Sequence, residues 1–121
     1  MLMVVMAALT ALQGPEPGPV TPSLVAGAKA ALDERLFDYP SARFRDVRGR
    51  DKVLCGFVNA KNRMGAYSGW SRFAYITLGG EPSLYMEDRD NPSTLNMLDT
   101  ACGVDGLRNQ GADYSDRLTH R

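Results

Sequence analysis

The sequence predicts an α+β fold, in which an N-terminal helix packs on a three- to four-stranded antiparallel sheet and a short C-terminal helix follows. An apolar stripe at helical spacing follows Pro22, and short β-type segments succeed one another between residues 42 and 86. A second helix start occurs at Asn91-Pro92. Because no helix separates the strands, the pattern indicates an antiparallel sheet rather than βαβ units.

The first helix is predicted from its capping residues and its apolar stripe. Thr21 is suited to the N-cap and Pro22 to the first helical position. Apolar residues then recur at every fourth position, at Leu24, Ala28, Leu32 and Leu36. This spacing places them on one helix face, which we expect to pack in the core. Pro40 disfavours helical geometry at the residue before it, so the helix should end near Asp38.

The strands are predicted from alternation and β-type composition. Ala42–Val47 alternates apolar and basic residues, and Arg48–Asp51 has the composition of a hairpin turn. Lys52–Val58 is apolar on both faces, which favours a central position in the sheet. Ser71–Leu78 and Ser83–Met86 complete the set.

The last helix is short and is bounded by its own signals. Asn91-Pro92 repeats the cap-plus-proline pattern of the first helix. Leu95, Leu98 and Ala101 give it one apolar face, and Gly103 is placed to end it.

We divide the chain into an apolar leader (1–14), a Pro/Gly-rich linker (15–22), a single α+β domain (23–103) and a polar, partly disordered tail (104–121). The 12 residues Met1–Leu12 carry no charge. That run is shorter than the roughly 20 residues of a membrane-spanning helix and has the length of a signal-peptide core. It lacks a preceding basic residue, so an apolar segment packed on the domain is the alternative. Export predicts a periplasmic or secreted protein without a transmembrane segment in its mature form.

Two cysteines, Cys55 and Cys102, are separated by 47 positions. They are too few for a four-ligand zinc site, and the single histidine, His120, stands in the tail. In an exported protein a disulfide between the last helix and the sheet is the natural inference. Two buried thiols and a catalytic thiol are the alternatives.

The segment Asn59–Trp70, NAKNRMGAYSGW, has the composition of a binding loop. It combines hydrogen-bonding, cationic and flat aromatic side chains. The candidate binding residues are Asn59, Lys61, Asn62, Tyr67, Trp70 and Arg72. The alternative is a structured connection between strands, in which the asparagines bond to backbone groups and hold the loop's shape.

Charge is unevenly distributed along a chain whose formal net charge is zero. Residues 41–63 contain seven basic and two acidic residues, whereas residues 81–105 contain six acidic residues and one basic residue. The overall balance argues against a general nucleic-acid binder. The segments are either two solvated faces or, for the first, a basic patch for an anionic partner.

Motifs of enzyme chemistry are missing from the sequence. One histidine near the end of the tail gives no credible Ser–His or Cys–His arrangement, and no phosphate-binding glycine signature occurs. We therefore expect no catalytic residue, no metal and no cofactor. The leading hypothesis is a non-enzymatic module that binds an unknown protein or envelope component through the 59–70 loop, without specific nucleic-acid binding. The alternative is a small enzyme or enzyme inhibitor, which would require Lys61, Tyr67 and Arg72 to converge on a pocket beside a carboxylate.

Several segments resemble a group of small exported proteins of unknown function from proteobacteria and their phages. The residues that carry the likeness are Tyr39–Val47 (YPSARFRDV), Leu54–Asn62 (LCGFVNAKN), Gly65–Gly69 (GAYSG), Arg72-Phe73 and Cys102. They match that group's P-S-A-x-F, C-G-x-V-N-A-K-N and G-x-Y-x-G patterns and its late cysteine, over roughly residues 24–102. The resemblance implies an envelope location and a Cys55–Cys102 bridge, and it implies no catalytic chemistry.

Overall fold

The protein is seen in a computed structural model that describes residues 20–87, 91–103 and 112–119. In chain order its elements are helix α1 (Pro22–Arg35), a 3₁₀ turn (Tyr39–Ser41), strands β1 (Arg43–Arg50), β2 (Val53–Asn59), β3 (Ser71–Ile76) and β4 (Ser83–Met86), helix α2 (Pro92–Cys102) and helix α3 (Ser115–Leu118). The α+β prediction is confirmed. The apolar leader, and with it the expected signal segment, lies outside the described residues.

The four strands form one antiparallel meander in the order β1-β2-β3-β4. β2 therefore lies between two neighbours, as its two apolar faces predict. Side chains alternate between the two faces of a strand, so neighbours along β2 belong to different layers. Leu54 and Val58 pack in the larger core with α1, whereas Cys55 packs in a smaller cluster with Leu98 of α2. The two long helices thus cover opposite faces of the sheet.

The larger core is built on the predicted stripe of α1. Thr21 accepts a hydrogen bond from the N–H of Leu24 through its hydroxyl oxygen, at 3.2 Å, and α1 ends at Arg35, three residues before the predicted end. The buried residues of this core are Val20, Leu24, Val25, Ala28, Leu32, Tyr39, Ala42, Val47, Leu54, Val58, Ala60, Phe73, Tyr75 and Leu118. Their burial from water supplies the main driving force for folding.

A β-bulge in β1 sets the direction of its arginines. Arg45 pairs with Phe57 and Arg48 with Cys55, so two residues of β1 stand opposite Gly56. The extra residue shifts the in–out alternation of β1 by one position, so that Val47 faces the larger core and Arg48 faces the same side as Arg45. Arg43, Arg45, Arg48 and Arg50 consequently all face the α2 side of the sheet. The turn predicted at Arg48–Asp51 lies further along the chain. β1 continues to Arg50, and the turn consists of Asp51 and Lys52.

The disulfide Cys55–Cys102 joins β2 to the last residue of α2. This confirms the bonded alternative for the two cysteines. Helix α2 begins at the predicted cap, where the side-chain oxygen of Asn91 accepts a hydrogen bond from the N–H of Ser93 at 3.2 Å. Leu98 is its one buried residue. The second layer is therefore thin, and a covalent bond fixes its end.

The C-terminal segment packs on the domain, which differs from the expected tail. Leu118 is fully buried, and its carbonyl oxygen accepts a hydrogen bond from the hydroxyl of Tyr39. At the bulge, the N–H of Val47 donates to the Asp113 carboxylate at 3.1 Å and its carbonyl accepts from the N–H of Tyr114 at 2.7 Å. The packed core thus extends beyond the predicted 23–103 range, to Val20 on one side and to residues 112–119 on the other.

Candidate functional site

The loop between β2 and β3 is held in shape by its own polar groups. Lys61 and Tyr67 form an isolated antiparallel bridge across it. The side-chain oxygen of Asn62 accepts hydrogen bonds from the N–H groups of Met64 at 2.9 Å and Ala66 at 3.2 Å. Gly65, with φ of 82°, takes the left-handed conformation that this turn requires. Asn62 therefore fixes the end of the loop and presents Met64 at it.

The base of the loop is fixed in the same way. The side-chain oxygen of Asn59 accepts a hydrogen bond from the N–H of Gly69 at 3.0 Å. The hydroxyl of Tyr67 donates to the carbonyl oxygen of Ser41 at 3.0 Å, which ties the loop to the connection before β1. The expectation that both asparagines bond to the backbone is confirmed, and their role as binding residues stays a prediction.

Cations of β1 and of the loop lie against aromatic rings. The Arg43 guanidinium is 4.3 Å from the centre of the Tyr67 ring, and the Lys61 ammonium is 5.5 Å from the same ring. The Arg45 guanidinium is 4.4 Å from the Trp70 ring and 5.3 Å from the Phe57 ring. These distances are those of cation–π contacts. We call this set the cation–aromatic surface; it consists of Arg43, Arg45, Phe57, Lys61, Tyr67 and Trp70.

The β1–β2 register brings these groups together. Arg43 stands opposite Asn59 and Arg45 opposite Phe57, at the end of the sheet where β2 enters the loop. Paired residues of antiparallel strands share a face, so both guanidinium groups extend toward the loop's aromatic rings. In the sequence both arginines belong to the basic segment, but neither belongs to the stretch 59–72 from which the candidate binding residues are chosen. A sequence pattern does point to them. Arg43 and Arg45 are two positions apart, so they share one face of a strand, and that strand pairs with the end of β2 that leads into the loop.

The electrostatics distinguish these cations from Arg72. In the part of the chain that the structure describes, Arg43, Arg45 and Lys61 form no ion pair with a carboxylate. The Arg72 guanidinium lies 2.7 Å from the Asp99 carboxylate and 3.7 Å from that of Glu87. Arg72, a predicted binding residue, thus already has anionic partners within the domain, whereas the cations of the cation–aromatic surface have no carboxylate partner among the described residues.

A depression beside the disulfide tests the enzyme hypothesis. It encloses a volume of only about 30 Å³ and is lined by Asp46, Arg48, Cys55, Gly56, Phe57, Arg72, Phe73, Leu98, Cys102 and Gly103. Arg72 and Asp46 both line it, but neither Lys61 nor Tyr67 is among the described residues that do so. This depression therefore does not bring the three predicted residues together, and the enzyme hypothesis stays a prediction.

Comparisons with protein-family models, with curated proteins and with solved structures return no match. Across residues 20–87, 91–103 and 112–119, no three potential metal ligands of the His, Cys, Asp and Glu types come together. Within the same residues, every helix is too short or too polar to cross a membrane.

Proposed function

We propose that the protein is an exported binding module that engages an anionic protein or envelope component through the cation–aromatic surface. One observation carries this proposal: Arg43, Arg45 and Lys61 lie against partly exposed rings and lack carboxylate partners among the described residues. Stable packing of the domain does not require such an arrangement. The cations stand outside both buried clusters.

The arrangement suits anion binding because the cations are already ordered. An exposed cation–π contact is worth about 0.5–1 kcal/mol. Because the contact already restricts the long cationic side chain, that side chain loses less conformational entropy when it binds an anion. A guanidinium stacked on a ring keeps its N–H donors free at the edge for carboxylate, sulfate or phosphate oxygens. The hydrogen bonds of Asn59 and Asn62 hold the rings in place beneath the cations.

Export is supported by the disulfide together with the sequence of the leader. Disulfides persist in oxidising compartments and are rare in the cytosol. The uncharged run Met1–Leu12 has the length of a signal-peptide core. We propose a bacterial periplasm as the compartment. Non-reducing mass spectrometry of protein recovered from that compartment should give a cleaved N-terminus and bonded cysteines; an intact Met1 with free thiols in the cytoplasm would overturn export.

The binding proposal is tested with two double variants that remove equal charge. Arg43→Gln with Arg45→Gln changes the cation–aromatic surface, and Arg50→Gln with Lys52→Gln changes the opposite end of the β1–β2 hairpin. Calorimetric titration with heparin and with polyglutamate gives Kd for each protein. The first variant should lose affinity at least about tenfold, because two charge-assisted contacts are removed.

The control variant should bind within about twofold of the unchanged protein, because its charges lie away from the surface. An equal loss in both variants would show that only net charge matters and would overturn the assignment of this surface. Trp70 is the single tryptophan of the chain, so its fluorescence in the unchanged protein reports directly whether the anion contacts this place.

A further inference from the structure

The loop end of the molecule exposes large apolar side chains. Among described residues the exposed large hydrophobic side chains are Phe37, Met64, Trp70, Leu78 and Met97. The first three lie at this end, with exposed fractions of 64%, 91% and 39%. The Arg63 guanidinium stands 5.8 Å from the Phe37 ring and so joins the loop to the segment after α1. We call Phe37, Arg63 and Met64 the apolar tip.

Cations without a described carboxylate partner adjoin the apolar tip. Arg63, like Arg43, Arg45 and Lys61, forms no ion pair with a described carboxylate. The stretch 57–72 contains three basic residues and no acidic residue. In the segment 36–42, which contributes Phe37, Asp38 is the one acidic residue. The charge and the exposed apolar groups therefore occupy one end of the domain.

We propose that the anionic partner is the surface of a lipid bilayer that contains anionic lipids, with Met64 and Phe37 entering the headgroup region. This inference rests on the proposed function and names its partner. A soluble anionic polymer would complement the cations but would leave Met64 in water. An anionic bilayer complements both, because reversible attachment to a membrane surface combines apolar insertion with basic residues facing lipid phosphates.

The geometry of the loop fits insertion. The turn held by Asn62 places Met64 at the end of a fixed loop, so that little ordering is needed on docking. Trp70 immediately precedes β3, and its ring lies 4.4 Å from the Arg45 guanidinium. Tryptophan is enriched at the level of lipid headgroups, where a flat amphipathic ring is well solvated on both sides. Arg43, Arg45, Lys61 and Arg63 would then meet the phosphates around it.

The test is co-sedimentation of the full chain with vesicles of phosphatidylcholine, with or without phosphatidylglycerol. Binding should require phosphatidylglycerol, weaken with salt and shift Trp70 emission to the blue. Met64→Ser should reduce the partition coefficient on the order of tenfold, since the apolar side chain no longer leaves water. Met97→Ser, at an exposed methionine of α2, is the matched control and should bind as the unchanged protein does. All variants keep residues 1–19, so any contribution of the apolar leader cancels.

The outcomes separate this inference from the function on which it rests. Binding of heparin or polyglutamate without binding of the anionic vesicles would overturn the bilayer as partner and leave the anion-binding module standing. Failure to bind any of them would overturn both. Vesicle binding that is equal for Met64→Ser and Met97→Ser would overturn the docking mode through the apolar tip.

Discussion

Removal of the disulfide should destabilise the domain strongly. The bridge closes a loop between residues 47 positions apart. Loop-closure entropy assigns about 4 kcal/mol to a cross-link of this span, because it restricts the unfolded chain. We expect Cys55→Ala with Cys102→Ala to lower the free energy of unfolding by about that amount. The loss is a large share of the 5–15 kcal/mol typical of a small domain, and Leu98 is the one buried residue left to hold α2.

Urea denaturation followed by two probes measures this loss. Far-UV circular dichroism reports the helices, and Trp70 fluorescence reports the loop beside β3. Met97→Ala, on the exposed side of the same helix, is the control and should change the free energy of unfolding by less than about 0.5 kcal/mol. A loss below about 1 kcal/mol in the double cysteine variant would refute the reasoning. Circular dichroism that changes before the fluorescence would show that α2 undocks while the sheet stays folded.

Three further predictions concern the larger core and its hydrogen bonds. Gly56→Ala should cost about 1–3 kcal/mol in thermal unfolding, because its Cβ would lie 2.7 Å from Cγ2 of Val47; unchanged stability would contradict the bulge. Burial opposes ionisation of Asp113, but hydrogen bonds, first from Ser115, outweigh it and lower its pKa. The stability that the Asp113 carboxylate contributes is present above about pH 4 and is lost as the pH falls through its folded pKa. Asp113→Asn should therefore reduce the fall in the free energy of unfolding at acidic pH. Burial raises the pKa of Tyr39 to about 12, so stability should fall as the pH rises from about 10 towards that value, and Tyr39→Phe should abolish that fall in urea titrations.

Element boundaries were predictable where local chemistry decides them. The Thr21 and Asn91 caps are confirmed because each side chain bonds to a backbone N–H two or three residues further along the chain. Gly103, with φ of 69°, ends α2 as expected, because a left-handed residue stops a helix wherever it stands. These signals are contained in a few consecutive residues, so one sequence is enough to recognise them.

The bulge and the C-terminal packing depend on contacts between distant residues. The N–H of Val47 bonds to Asp113, 66 positions away, and Leu118 enters a core that was predicted without it. No periodicity in the tail signals this packing, since α3 is only four residues long. The same limit applies to the site. The loop residues could be chosen by composition, whereas Arg43 and Arg45 join them only through the β1–β2 register.

The thin second layer and the cation–aromatic surface are two consequences of one arrangement. Among the described residues, the α2 side of the sheet buries Cys55, Ala74 and Leu98, whereas the core on the other face contains fourteen buried residues. Beside this cluster the α2 side of the sheet also carries the β1 arginines, which the bulge keeps on one face. A full apolar layer there would stabilise the domain further but would cover the cations. The disulfide resolves this conflict, because it fixes the last residue of α2 to Cys55, which pairs with Ala74 inside the sheet, without requiring a broad apolar contact. A basic surface can then remain open on a domain of this size.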